Sequence, residues 1–180
     1  MARLSVTQAV VGEALYPDPL RASFLARPWG IDSHSLFGPV ALAIGPFQML
    51  EASFARRPAL HRKLGWLYML GAFGTGVSGV AMSYFAYTGT LAGAGFAGMA
   101  LALIVTTAVG LAAIQARDVE RHRRWMLASF SLIFAAVTFR LWIPLLVLAL
   151  GDFERAYPWV AWLSWLPNLA FAAWFGARAR

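Results

Sequence analysis

Residues 91–115 read LAGAGFAGMALALIVTTAVGLAAIQ, and no charged side chain interrupts them. At about 1.5 Å of rise per residue, a helix of this length crosses the roughly 30 Å hydrocarbon core of a bilayer. Similar apolar runs flank it. Together they predict spanning helices at about 35–54, 64–87, 91–115, 125–150 and 159–175. The composition agrees with lipid as the solvent. Hydrophobic residues make up 60% of the chain and charged residues 13%, against roughly half and roughly a quarter in soluble domains. The mean hydropathy is +0.63. The expected fold is therefore an all-α integral membrane protein, a bundle of about five transmembrane helices. Residues 1–32 form a polar segment on the outer side or the membrane surface. Residues 33–176 are the transmembrane domain, and 177–180 are a basic tail. There is no cysteine, which excludes disulfides, thiolate metal sites and a cysteine nucleophile.

Charge sets the expected orientation. The net charge is +7. Arg56, Arg57, Arg62 and Lys63 precede the second run. Arg117, Arg121, Arg123 and Arg124 precede the fourth, and Arg178 and Arg180 follow the fifth. With five spans these groups share one face, which the positive-inside rule makes cytoplasmic. The positive charge is then topological, with anionic lipid headgroups as its partner and no role in binding nucleic acid. The N-terminus faces outward in this scheme, although it carries Arg3, Arg21 and Arg27; a preceding helix would remove that difficulty. Val6 to Leu15 is too short to span and suits a surface helix. Most of the eight tryptophans fall near expected helix ends, where interfacial anchoring explains them. The glycines of the second and third runs permit close helix packing; the alternative is a slot for a flat cofactor.

The two basic loops echo each other. One reads Arg56-x4-His61-Arg62 and the other Arg117-x4-His122-Arg123, with Trp66 and Trp125 following. Matching hairpins suggest a parallel repeat and set His61 and His122 at one depth. Two neutral imidazoles can ligate a six-coordinate haem iron, and Arg62, Arg123 and Arg124 could pair its propionates. Interfacial histidines bonded to headgroups are the plain alternative. His34, at the start of the first run, stands at the opposite depth and could bind alone, move a proton or cap its helix. Arg140 interrupts the fourth run and should face protein or water, with Asp32, Asp152, Glu154 or a ligand as partner. Pro46 kinks the first run. Gln48 then offers a neutral donor and acceptor to a helix or a quinone carbonyl, and Glu51 follows near the interface. No soluble catalytic motif is present.

Several of these pieces resemble one family. They are His34, Gly45-Pro46-Phe47-Gln48, His61-Arg62-x-Leu64-Gly65 with Tyr68, and His122-Arg123-Arg124-Trp125-Met126. The run from Phe134 to Leu141 and Trp162-x2-Trp165-x-Pro167-Asn168 complete the set. In this order and spacing they resemble the predicted bacterial membrane proteins of domain of unknown function 2306 (DUF2306), over about 33–174. Members usually carry a further hydrophobic helix near the N-terminus, where this chain is polar. The resemblance implies a multi-pass protein of the bacterial inner membrane, with His34, His61, His122 and Arg140 as signature positions. More loosely, the pattern is similar to the transmembrane cytochrome b-561 family, whose four-helix core holds haem b between histidines two helices apart. That likeness implies a single-haem relative, because the third run has no histidine.

Three functions fit these expectations. The first is a b-type haem electron-transfer protein, quinone-linked, with one bis-histidine site at the cytoplasmic face; as an enzyme it would be a membrane oxidoreductase. The second is a non-catalytic accessory subunit of a larger membrane complex or a homo-oligomer. The third is a small transporter or proton pathway through His34, Gln48, Glu51 and Arg140.

Overall fold

A computed structural model describes residues 18–50 and 56–178, so the expected roles of Glu51, of the segment Val6 to Leu15 and of Arg180 fall outside it. The described chain is helical: α1 (Asp18–Ala26), α2 (Pro28–Met49), α3 (Pro58–Ser83), α4 (Thr90–Gln115), α5 (Val119–Ile133), α6 (Ala135–Leu150), α7 (Phe153–Leu163) and α8 (Leu166–Arg178). Local chemistry sets the ends. Pro28 and Pro58 open α2 and α3, positions where the missing N–H costs nothing. Asp118 caps α5 by accepting the Arg121 N–H. Gly151 ends α6 in the left-handed region (φ 76°), its N–H bonded to the Val147 carbonyl.

The chain is an all-α membrane protein. Among the described residues, three stretches are long and apolar enough to cross a bilayer: Pro58–Ser83, Thr90–Gln115 and Val119–Leu150. The first and fifth expected spans differ from this. α2 starts seven residues before the expected 35, inside the segment taken as polar, and Asp32, His34 and Gln48 lower its hydropathy. The fifth is divided at Ser164–Trp165 into α7 and α8. The fourth is not one helix from 125: it begins at Val119 and breaks at Phe134.

Four of these helices close a ring. α2 packs on α3, α3 on α4, α4 on α5, and α5 returns to α2, while α7 lies against α4 and α6, and α8 against α5. The molecule is inside out relative to a soluble bundle. Leu70, Val77, Leu101, Val105, Leu145 and Leu148 point outward, as lipid allows. Inside, small residues bring backbones together. A Cβ on Gly71 would stand 3.0 Å from the Ala41 nitrogen and the Phe37 carbonyl oxygen, and one on Gly95 2.9 Å from the Ala161 carbonyl oxygen. Those glycines are packing residues, and the cofactor slot is not formed by them. Trp165 also departs from the interfacial reading: it is buried, its indole N–H bonded to the Ala161 carbonyl at 2.9 Å.

Two polar features stitch the bundle. Asn168 on α8 sits between the two helix breaks. Its Nδ2 lies 3.3 Å from the Ser131 carbonyl, 3.0 Å from Thr138 Oγ1 and 3.0 Å from the Ser164 carbonyl. It thus joins α5, α6, α7 and α8. The second feature is a fully buried hydroxyl chain. Thr107 Oγ1 donates to the Leu103 carbonyl at 2.7 Å and meets Ser129 Oγ at 2.8 Å; Ser129 Oγ meets Tyr68 OH at 2.8 Å. A hydroxyl has one hydrogen. Thr107 spends its own on Leu103, so Ser129 donates to Thr107 and Tyr68 to Ser129. Removing the Tyr68 hydroxyl should cost about 1 kcal/mol, the usual range for one interhelical bond. Reversible unfolding of Tyr68→Phe in mixed micelles measures it, and an unchanged midpoint would mean the chain adds nothing to stability.

At the opposite end from the basic loops, Tyr87 donates to the Glu154 carboxylate, tying the α3–α4 turn to α7. That bond, with the neighbouring negative charges, pushes the phenol pKa above its ordinary value.

Candidate functional site

The helix starts decide which side chains reach the interior. Because α5 begins at Val119, His122 is already helical, and His122, Met126 and Ser129 share one face at i, i+4 and i+7. The same spacing on α3 aligns His61, Gly65 and Tyr68. The connections 84–89 and 116–118 each reverse the chain, so α3 and α5 run parallel on opposite corners of the ring. Tyr68 bonds Ser129 across that diagonal. His61 and His122 each lie seven residues before this bonded pair, about 10.5 Å down the helices. The register that joins Tyr68 to Ser129 therefore also sets the two imidazoles at one level.

A cavity of about 250 Å³ occupies that level. Gln48 and Met49 line it from α2, and His61, Arg62, Gly65, Trp66, Tyr68 and Met69 from α3. Leu111, Ile114 and Gln115 line it from α4, and His122 and Met126 from α5. Both imidazoles line this one cavity, from α3 and from α5. The volume lies just under the roughly 300–1,000 Å³ of small-molecule pockets, and the cavity opens outward. A planar group larger than this would fill it and extend into its mouth.

His122 Nδ1 lies 2.7 Å from the Gly110 carbonyl oxygen. A carbonyl can only accept, so Nδ1 carries the proton and Nε2 keeps its lone pair. Metal-binding histidines are commonly oriented in this way, the second nitrogen bonded to a carbonyl. Gly110 suits the position: a Cβ there would stand 2.8 Å from Met126 Sδ. Sequence reasoning singled out His122 but missed the Gly110 carbonyl, because a backbone acceptor leaves no mark in residue type.

Of the other expected residues, Arg62 and Gln48 line the cavity and Arg123 and Arg124 do not. Both are exposed on α5. Arg124 lies 3.7 Å from Glu120 on its own helix, and its stem packs near Gly176 of α8. His34 stands about 21 Å along α2 from Gln48. Its Nδ1 is buried and meets no hydrogen-bond partner. Arg140 itself donates to the Ala136 carbonyl at 2.6 Å. Of its expected partners, Glu154 takes the Tyr87 hydroxyl and Asp152 caps α7. Among the described residues, no cluster of three or more His, Asp or Glu side chains is arranged to hold a metal ion.

A family model described as "Predicted membrane protein (DUF2306)" matches residues 31–175. No curated protein and no solved structure matches the chain.

Proposed function

The chain belongs to the DUF2306 family of predicted membrane proteins, and from that premise we propose that it is a membrane electron-transfer protein with one b-type haem held by His61 and His122. The observation that carries this reading is the shared cavity of the two imidazoles on parallel helices, with His122 locked in the tautomer that presents Nε2. The donor set fits: two neutral imidazoles suit low-spin haem iron, and Met69, Leu111, Met126 and Trp66 supply apolar walls. When bound, haem would supply reversible one-electron chemistry.

The chain's own residues do the rest. Gly110 orients His122 through its carbonyl. The buried Tyr68–Ser129–Thr107 chain meets the cavity at Tyr68 and ties α3 to α5 and α4. Arg62 places positive charge on the cavity wall. The basic end faces the cytoplasm of a bacterial inner membrane by the positive-inside rule, against anionic headgroups. A quinone dissolved in the bilayer is the electron partner that such a site can reach.

The test is the absorption spectrum of the detergent-purified protein with haem supplied during expression, oxidised and then dithionite-reduced. A sharp reduced α band is expected, absent from the His61→Ala, His122→Ala double variant. A colourless wild-type protein that copurifies with a stoichiometric membrane partner would sink this reading in favour of an accessory subunit.

A further inference from the structure

Gln48 is the cavity's unexplained donor. It closes α2 two residues after Pro46, where the backbone leaves the helix at Leu50 (φ −76°, ψ 122°). Its Oε1 lies toward α3, 3.5 Å from where a Cβ on Gly65 would sit. Its Nε2 is buried on the cavity wall and meets no hydrogen-bond acceptor. A buried amide N–H with no acceptor is unfavourable, and such groups in native proteins have a reason. Here the reason can be an oxygen that arrives with a ligand. Arg62 lines the same cavity from α3. The Gln48 amide, through Nε2, and the Arg62 guanidinium can both donate N–H groups to a shared acceptor. A carboxylate is the group that such a pair binds best, because charge-assisted bonds are the stronger ones.

We propose that Gln48 and Arg62 together receive a carboxylate of the cavity's occupant, a propionate if the occupant is haem. The group then lies with its acid edge against α2 and α3, away from Arg123 and Arg124. This rests on the haem reading for the identity of the occupant, but not for the identity of the donors.

The measurement is haem release from the full-length, haem-loaded protein to an excess of a haem-scavenging apoprotein, with the midpoint potential recorded alongside. Gln48→Leu should release haem about tenfold faster, the effect of losing one hydrogen bond to a charged group. Gln48→Glu, the same size, should release it faster still, because a carboxylate beside a carboxylate is repelled. Arg62→Gln should both speed release and lower the potential, since a cation near the iron favours the reduced state. Arg123→Gln should change neither. Wild-type release rates in both Gln48 variants would overturn the inference while leaving the haem reading intact. So would slower release from Gln48→Glu than from Gln48→Leu, which would mean that the wall receives a donor. A wild-type protein that takes up no haem would overturn both.

Discussion

The His122→Ala protein is expected to fold and to bind haem more than about a hundredfold less tightly than wild type. Losing even an outer-shell partner of a metal ligand costs 10–100-fold, and His122 would be a ligand itself. The substitution also strips the Gly110 carbonyl of its partner. That loss is tolerable because the Gly110 carbonyl, inside α4, still accepts a backbone N–H of its own helix. His122→Met separates ligation from packing. A thioether can take the same iron position, and His/Met ligation raises the potential relative to bis-histidine. The expected result is therefore a coloured His122→Met protein with a higher midpoint potential. If both variants keep the wild-type spectrum and potential, His122 is not a ligand.

A large effect on stability is expected at Gly71. Its would-be Cβ meets backbone, the Ala41 nitrogen and Phe37 carbonyl oxygen of α2. Backbone cannot swing aside as a side chain can. At Gly45 the neighbour is the Phe130 ring, which could turn away. Gly71→Ala should cost about 1 kcal/mol and Gly71→Leu about 3 kcal/mol or more, the upper range for overpacking. α2 would have to move off α3, taking Gln48 away from His61. Unfolding in mixed micelles measures the stability loss, and loss of bound haem in the same sample reports the separation. A Gly71→Leu protein as stable as wild type would show that the crossing is looser than its contacts imply.

Much of this was readable before any coordinates. The uncharged run 91–115 announces a membrane span, and the paired Arg-x4-His-Arg loops place His61 and His122 at one end. Both rest on strong, repetitive physics: hydropathy over 20 residues and two helix starts on one side of a bilayer. The misses arise where tertiary contact decides. Arg123 and Arg124 looked equivalent to Arg62 because they also adjoin a histidine. Which arginine next to a histidine reaches the cavity is set by how each helix packs on its neighbours, because the spacing from the histidine is the same for Arg62 and Arg123. The break at Phe134 carries no glycine or proline, whereas Pro144 sits inside α6 without ending it; the break is held by Asn168 from α8. Tyr68, Ser129 and Thr107 lie on three different helices, so no periodicity joins them. Only Tyr68 was singled out at all, and only as part of a family pattern.

The one-way order of the buried hydroxyls has a consequence for what crosses the membrane. A proton relay needs each member to accept on one side and donate on the other, and to end on a group that can pass the proton on. This chain runs from Tyr68 through Ser129 and Thr107 to the Leu103 carbonyl, an amide oxygen already inside its helix. Reversing it would require three enclosed rotors to turn together, and the terminus would still release nothing. This hydroxyl chain therefore gives hydrogen ions no relay, while electrons, which tunnel through packed side chains, need none. If the proposed haem sits at the basic end, its redox changes draw no protons through these hydroxyls.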